Sequence, residues 1–276
     1  MNRHLASCST MIVVSLLGAC AQLTAKPEVP VVEDQSVLSR QASAPDRTIA
    51  YGDAPEQIAD VRFGEGTPEQ RPLLVLIHGG FWRPAYDRAH IGPMSDGLAA
   101  AGWTVATIEY RRVPGRPDLT LGDVGTAVES LPALTERHNG KAILIGHSAG
   151  GHLVLWAGAT HPRAALAGIV ALAPVADLRL GQARNLGNGA VRAFLGVDAQ
   201  QRADADPIRL PAPAAAVTIV HGEIDDTVPI EVGRAYAGVH PTTRLVALPD
   251  TGHYEVIDPL SWVWPSVLAE LERLAE

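Results

Sequence analysis

A serine stands between glycines in the stretch Gly146-His147-Ser148-Ala149-Gly150. The residues before it, KAILI, are mostly apolar, and the run after it, GGHLVLWAGA, is small and apolar. A buried strand that runs into a sharp turn and then a helix is the setting of a G-x-S-x-G elbow. Such a turn holds the serine in a strained backbone conformation with its hydroxyl presented at the end of a sheet. Flanking glycines relieve the crowding the turn creates. A helix starting at Ala149 points backbone N–H groups and its positive dipole end at the site. The chemistry this allows is nucleophilic, and a serine hydroxyl is a weak nucleophile until a base takes its proton. The rest of the chain must therefore supply a base and the elements that bring it to Ser148.

Those elements are legible as an alternation. Apolar runs at 72–80, 104–111, 141–148, 166–175, 214–221 and 243–250 each read as a strand buried on both faces. Helical patterns at 88–101, 121–138, 149–160, 230–239 and 261–275 lie between or after them. This alternation predicts an α/β fold with a mostly parallel central sheet and helices on both faces. The segments near 48–51 and 57–63 read as an antiparallel edge pair. One connection breaks the rhythm, from about 177 to 212. It contains Asn185-Leu186-Gly187-Asn188-Gly189 and a short helical patch around Phe194. A connection of this length has its own structure or a function; a small cap over the site and a plain surface excursion both fit.

With the elbow in that setting, residues 48–275 resemble the α/β-hydrolase superfamily. Its order of site residues is Ser, then Asp or Glu, then His. HGEIDDTVP (221–229) resembles the superfamily's H-G-x-x-D-x-x-V-P stretch, which implies Asp225 as the acid. Asp226 is the near rival, with a turn or capping role as its alternative. TGHYEVIDP (251–259) resembles the stretch that carries the catalytic histidine, which implies His253. His78-Gly79-Gly80-Phe81-Trp82 resembles the H-G-G-x-W motif of kynurenine formamidases and related small esterases. That resemblance implies an oxyanion hole from the N–H groups of Gly80 and Phe81, joined by that of Ala149. Trp82 and Phe194 are candidate pocket residues, with core packing as the alternative for Phe81 and Trp82. In such proteins His78 and His221 brace loops. His147 and His152 read as packing around the elbow, and His90, His138, His161 and His240 as surface. No spacing resembles a metal site, and neither a metal nor a cofactor is expected.

Composition narrows the partners. The 276-residue chain has a formal net charge of −8 and no Lys/Arg-rich run, so nucleic acid is not an expected partner. The two cysteines are Cys8 and Cys20. The apolar stretch from Met11 to Leu17 is too short to span a membrane and fits the core of a secretory leader over 1–19. Leu17-Gly18-Ala19-Cys20 resembles the lipobox of bacterial lipoproteins, which implies lipidation at Cys20. The alternative is an ordinary leader with an incidental cysteine and a secreted or periplasmic product. Ala21 lacks the Asp of retention signals, which favours the periplasmic side of the outer membrane. Residues 20–45, with three prolines and little periodicity, read as a flexible tether. The hydrolase domain is then 46–276, with membrane contact only through the anchor. The sequence carries no indication of oligomeric state.

The resemblance implies a serine esterase acting on small or aromatic carboxylic esters through an acyl-enzyme. Arylformamidase activity on N-formylkynurenine is the alternative. APVADL stands where formamidases have serine–glycine followed by tyrosine and Asp-Leu, and this departure favours the ester. A peptidase of the prolyl-oligopeptidase type would need a second binding domain, for which the chain is short. A non-catalytic binding lipoprotein would not need all three site positions filled.

Overall fold

A computed structural model of the chain describes Met1, residues 34–162 and residues 164–276. The expected leader, the lipidation site Cys20 and the first part of the expected tether lie outside the described residues. Eight strands form one sheet: β1 (Arg47–Ala50), β2 (Ile58–Arg62), β3 (Leu73–Ile77), β4 (Val105–Ile108), β5 (Ala142–His147), β6 (Leu166–Leu172), β7 (Val217–Gly222) and β8 (Arg244–Leu248). Their order across the sheet is β1-β2-β4-β3-β5-β6-β7-β8. The pairs β1–β2 and β2–β4 are antiparallel, and every later pair is parallel. Strand β5, which leads into Ser148, sits in the middle, flanked by β3 and β6, so the loops that follow these strands open at one end of the sheet.

The helices are α1 (Ser36–Ser39), α2 (Gly92–Ala100), α3 (Pro117–Leu134), α4 (Ala149–Thr160), α5 (Leu178–Ala183), α6 (Ala190–Leu195), α7 (Glu231–Val239) and α8 (Trp264–Ala275). Side chains alternate across the strands, and the core divides accordingly. Leu73, Val75 and Ile77 belong to the apolar cluster of Val124 on α3, Leu153 on α4 and Tyr236 on α7. Leu74 and Leu76 belong to the cluster of Met94 and Leu98 on α2 and of Val267 and Leu271 on α8. Helices therefore cover both faces, which is why the central strands β3, β5 and β6 carry no polar side chain but that of His147. Helix α3 starts earlier than its periodicity predicts, with Pro117 in its first turn. It stops at Leu134, shortly after Pro132, which cannot donate to the helical ladder.

Two boundaries differ from expectation. The compact unit already includes the described residues from 34 on, rather than beginning at 46. Within the expected tether, Val37 is buried, Arg40 pairs with Asp258, and Ser43 bonds to Asp96. The long connection from 177 to 212 is not an open excursion: it folds into α5, α6 and three short 3-10 turns. The ring of His152 donates from Nε2 to the carbonyl oxygen of Ala205 at 2.8 Å, and Trp156 donates to that of Asp204 at 3.0 Å. Helix α4, directly behind Ser148, thus holds the insertion down. No helix among the described residues is long and apolar enough to cross a membrane.

Candidate active site

Ser148 sits at the turn between β5 and α4 with φ 57° and ψ −116°, a conformation costly for a residue with a side chain. The turn survives because its surroundings over-determine it. The N–H of Ser148 donates to the carbonyl oxygen of Leu172 at 2.8 Å. A Cβ at Gly146 would lie 2.3 Å from the carbonyl oxygen of Gly150, and one at Gly150 would lie 2.1 Å from that of Ile77. Both approaches are shorter than any side chain tolerates, so the elbow requires glycine at these two positions.

The loop after β3 lies against this turn, where a Cβ at Gly79 would stand 3.0 Å from the Cβ of Ser148. Gly80, Phe81 and Trp82 all have positive φ, at 97°, 53° and 54°. Three left-handed residues in succession turn the backbone sharply. Among the described residues, no acceptor takes the N–H of Gly80, Phe81 or Ala149. The loop is fixed from behind. Nδ1–H of His78 donates to the carbonyl oxygen of Gly79 at 2.8 Å, and Tyr110 donates its hydroxyl proton to the carbonyl oxygen of His78 at 2.9 Å. The His78 and Tyr110 rings stack at 4.4 Å. Beneath them the buried Glu109 accepts from Arg112 and from the N–H groups of Tyr110 and Arg88. Burial pushes the Glu109 carboxyl up, but His78 and Arg112 outweigh it and hold it at about 2. Sequence reasoning missed this support, although a glutamate directly after the buried strand β4 was a visible signal.

Asp225 and His253 come from the loops after β7 and β8. His253 is buried, and its Nδ1–H donates to Oδ2 of Asp225 at 2.7 Å. Oδ1 of Asp225 accepts the N–H groups of Thr227 at 2.9 Å and Val228 at 2.6 Å. Burial would raise the Asp225 pKa; the charge on His253 and hydrogen bonds from His221 and His253 prevail and hold it well below the carboxylate range. Asp226 is exposed, so of the two candidates Asp225 is the one that meets the histidine. His221 braces the same loop by donating from Nε2 to the carbonyl oxygen of Val228 at 2.7 Å. His147 donates from Nε2 to the carbonyl oxygen of His253 at 2.9 Å. Burial and then the nearby His253 drive its pKa well below that of an ordinary histidine.

Ser148 and His253 line one cavity of about 390 Å³, together with Gly80, Phe81, Arg83, Tyr86, His90, His147, Asn188 and Tyr254. Phe81 is therefore a lining residue, whereas Trp82 and Phe194 are not. These two rings stack on each other at 4.5 Å and are buried with the insertion's core. The insertion contributes Gly187 and Asn188 instead, and Arg83 donates to the carbonyl oxygen of Gly187. Two histidines expected at the surface are not there. His90 lines the cavity, and burial, then repulsion from His78, lowers its pKa to about 4. His240 is buried against the ring of Tyr236. Among the described residues no group of three or more His, Cys, Asp or Glu side chains could hold a metal ion.

A mostly parallel eight-stranded sheet with a strained serine at the central strand–helix turn defines an α/β-hydrolase. The family model described as BD-FAE matches residues 59–237, and the chain belongs to that family. It is similar to esterase LipC of Mycobacterium tuberculosis, 27% identical over 253 residues that cover 77% of this chain and 60% of that protein. The kynurenine formamidase of Drosophila melanogaster is 31% identical over 114 residues, covering 38% of this chain and 35% of that one. The chain thus spans less than two thirds of these relatives. Among solved structures, a truncated carbohydrate esterase from gut microbiota superposes with a TM-score of 0.70 at 16% identity, over 86% of this chain and 99% of that one. Esterase B of Lactobacillus rhamnosis, inhibited by a tributyrin phosphonate, superposes with a TM-score of 0.66 at 18% identity, over 87% and 90%. These two share the fold.

Proposed function

We propose that the protein is a serine hydrolase that cleaves carboxylic esters of small or aromatic substrates through an acyl-enzyme. The observation that carries this reading is the 2.7 Å bond between His253 and Asp225 at a cavity that also holds Ser148 in its strained turn. With Nδ1 committed to Asp225, Nε2 of His253 is the nitrogen that takes the Ser148 proton. Oγ of Ser148 bonds to the ester carbonyl carbon, and the carbonyl oxygen becomes an oxyanion. The N–H groups of Gly80, Phe81 and Ala149 receive that charge. The C–O bond to the alcohol then breaks, the alcohol leaves with the proton from His253, and the acyl group remains on Ser148. Water, deprotonated by His253, attacks the acyl carbon and frees the carboxylic acid and Ser148. Asp225 keeps the imidazole in the required tautomer and stabilises its charged form. The similarity to LipC supports ester substrates.

The deciding experiment compares kcat/KM for p-nitrophenyl acetate, p-nitrophenyl butyrate, methyl ferulate and N-formylkynurenine, with Ser148→Ala as control. Ester turnover well above that of N-formylkynurenine, lost in Ser148→Ala, is the expected result. A preference for N-formylkynurenine would establish the formamidase alternative, which the partial match to kynurenine formamidases makes specific. No Ser148-dependent turnover would overturn the hydrolase reading in favour of a binding protein. We further propose that a lipid on Cys20 anchors the protein in the bacterial envelope, on the periplasmic side of the outer membrane, a reading supported by the lipobox-like Leu17-Gly18-Ala19-Cys20. Loss of fatty-acid labelling in Cys20→Ala tests that address separately.

A further inference from the structure

The segment just before β1 does more than connect. Helix α1 turns Val37 into the core, where it is buried in the cluster of Ile91 and Met94. Its neighbours go elsewhere: Gln35 and Leu38 line the cavity that holds Ser148 and His253. Leu38 also lines an adjoining cavity of about 530 Å³, walled by Arg40, Asp60, Arg62 and Arg88. Leu38 and His90 line both spaces, so they stand at the partition between them.

The segment is fastened at two points. Arg40 reaches Asp258 with its two terminal guanidinium nitrogens, at 2.5 and 3.0 Å. Asp258 lies five positions after His253 and also accepts the N–H of Leu260 at 2.8 Å. Ser43 donates its N–H and hydroxyl to Asp96, each at 2.7 Å, and its carbonyl oxygen accepts from Arg62 at 2.6 Å. A mere tether needs neither a buried valine nor a bidentate ion pair to the histidine loop. Both features hold Leu38 against the mouth of the site.

We propose that residues 35–40 are a wall of the substrate cleft, that Leu38 limits the bulk accepted beside Ser148, and that the Arg40–Asp258 pair holds this wall against the histidine loop. The proposal rests on the hydrolase reading above. Selectivity for ester size is therefore set partly by a segment outside the residues matched by the family model.

The test uses the full chain and two ester series: p-nitrophenyl acetate, butyrate and octanoate, and the acetates of p-nitrophenol, 1-naphthol and cyclohexanol. Leu38→Ala should raise the ratio of kcat/KM for the bulkiest to the smallest ester in one series by roughly ten-fold, mainly through KM. Leu38→Trp should lower the same ratio by a similar factor, and the series that moves tells which side of the ester meets Leu38. Arg40→Ala should shift the ratio in the direction of Leu38→Ala, and adding Asp258→Ala should shift it no further. Ratios that stay within about two-fold of the unmodified protein in both Leu38 variants would overturn the proposal. So would a parallel fall on every ester, which is what a purely structural role gives. Absence of Ser148-dependent turnover in the unmodified protein is a different failure, because it removes the hydrolase reading and this proposal with it.

Discussion

The imidazole of His147 is bonded to the main chain of His253: its Nε2–H donates to the carbonyl oxygen of His253 at 2.9 Å. The residue before Ser148 thus holds the loop that carries His253, and the two rings lie 4.5 Å apart. Nδ1 of His147 is buried and finds no hydrogen-bond partner among the described residues, and the depressed pKa keeps the ring neutral. Its work is positional. His147→Leu leaves a buried carbonyl unsatisfied beside His253, which costs about 1–3 kcal/mol in such settings. The expected result is a kcat on p-nitrophenyl acetate lower by roughly ten-fold, with KM nearly unchanged. A KM effect alone would make His147 a substrate contact instead.

The two adjacent aspartates should separate cleanly. Asp225→Asn puts an amide where Oδ2 now accepts Nδ1–H of His253, and an amide nitrogen there would favour the wrong tautomer. The loss in kcat should be roughly 10³- to 10⁴-fold. Asp226→Asn changes an exposed side chain and should stay within about two-fold. Steady-state rates on one ester decide, and the reverse ranking would reassign the acid.

Gly80 offers a test of the oxyanion loop. Its φ is 97°, and an added Cβ would lie 2.4 Å from the Cβ of Tyr86. Gly80→Ala should displace the N–H groups of residues 80 and 81 and lower kcat by about 100-fold. Adding Tyr86→Gly removes the collision, which is with the Cβ itself, but not the left-handed strain, so recovery should be partial. Full activity in Gly80→Ala would move the oxyanion donors elsewhere.

The fold was legible because the chemistry of a two-faced parallel sheet leaves long apolar runs, and because an elbow has steric demands that only small residues meet. The helix after Ser148 has the span its periodicity predicts, Ala149–Thr160. What was not legible depended on distant pairings. Trp82 and Phe194 are 112 positions apart in sequence, and nothing local says that they stack on each other rather than on substrate. Residues 34–45 have no helical period, and distant partners keep them on the domain: Asp258, Asp96, Arg62 and the cluster that buries Val37. His90 looked like a surface residue because its neighbours Asp87 and Arg88 are polar. Arg88 spends that polarity on Asp60 at 2.6 Å, which leaves the His90 ring turned to the cavity.

Between about pH 4 and pH 6.5, two kinds of buried group pull stability in opposite directions. Burial lowers His152 to about 4, as burial and His78 do for His90. Both bind protons more readily when unfolded, so the stability they contribute is present above their ordinary value and is lost as pH falls from about 6.5 toward 4. Asp206 acts in the other direction. It is fully buried, its Oδ1 accepts the N–H of Leu178 at 3.0 Å, and among the described residues its Oδ2 has no hydrogen-bond partner. Burial, working against that hydrogen bond, raises its pKa to about 6. The folded state therefore holds the proton more tightly than the unfolded one, and stability is lost as pH rises through about 6. Asp206→Asn removes this second contribution while keeping an oxygen for Leu178. Thermal melts from pH 4 to pH 8 should show the Tm of the variant, relative to the unmodified protein, rising with pH between about 4 and 7. A difference that does not change with pH would mean that Asp206 ionises alike in both states.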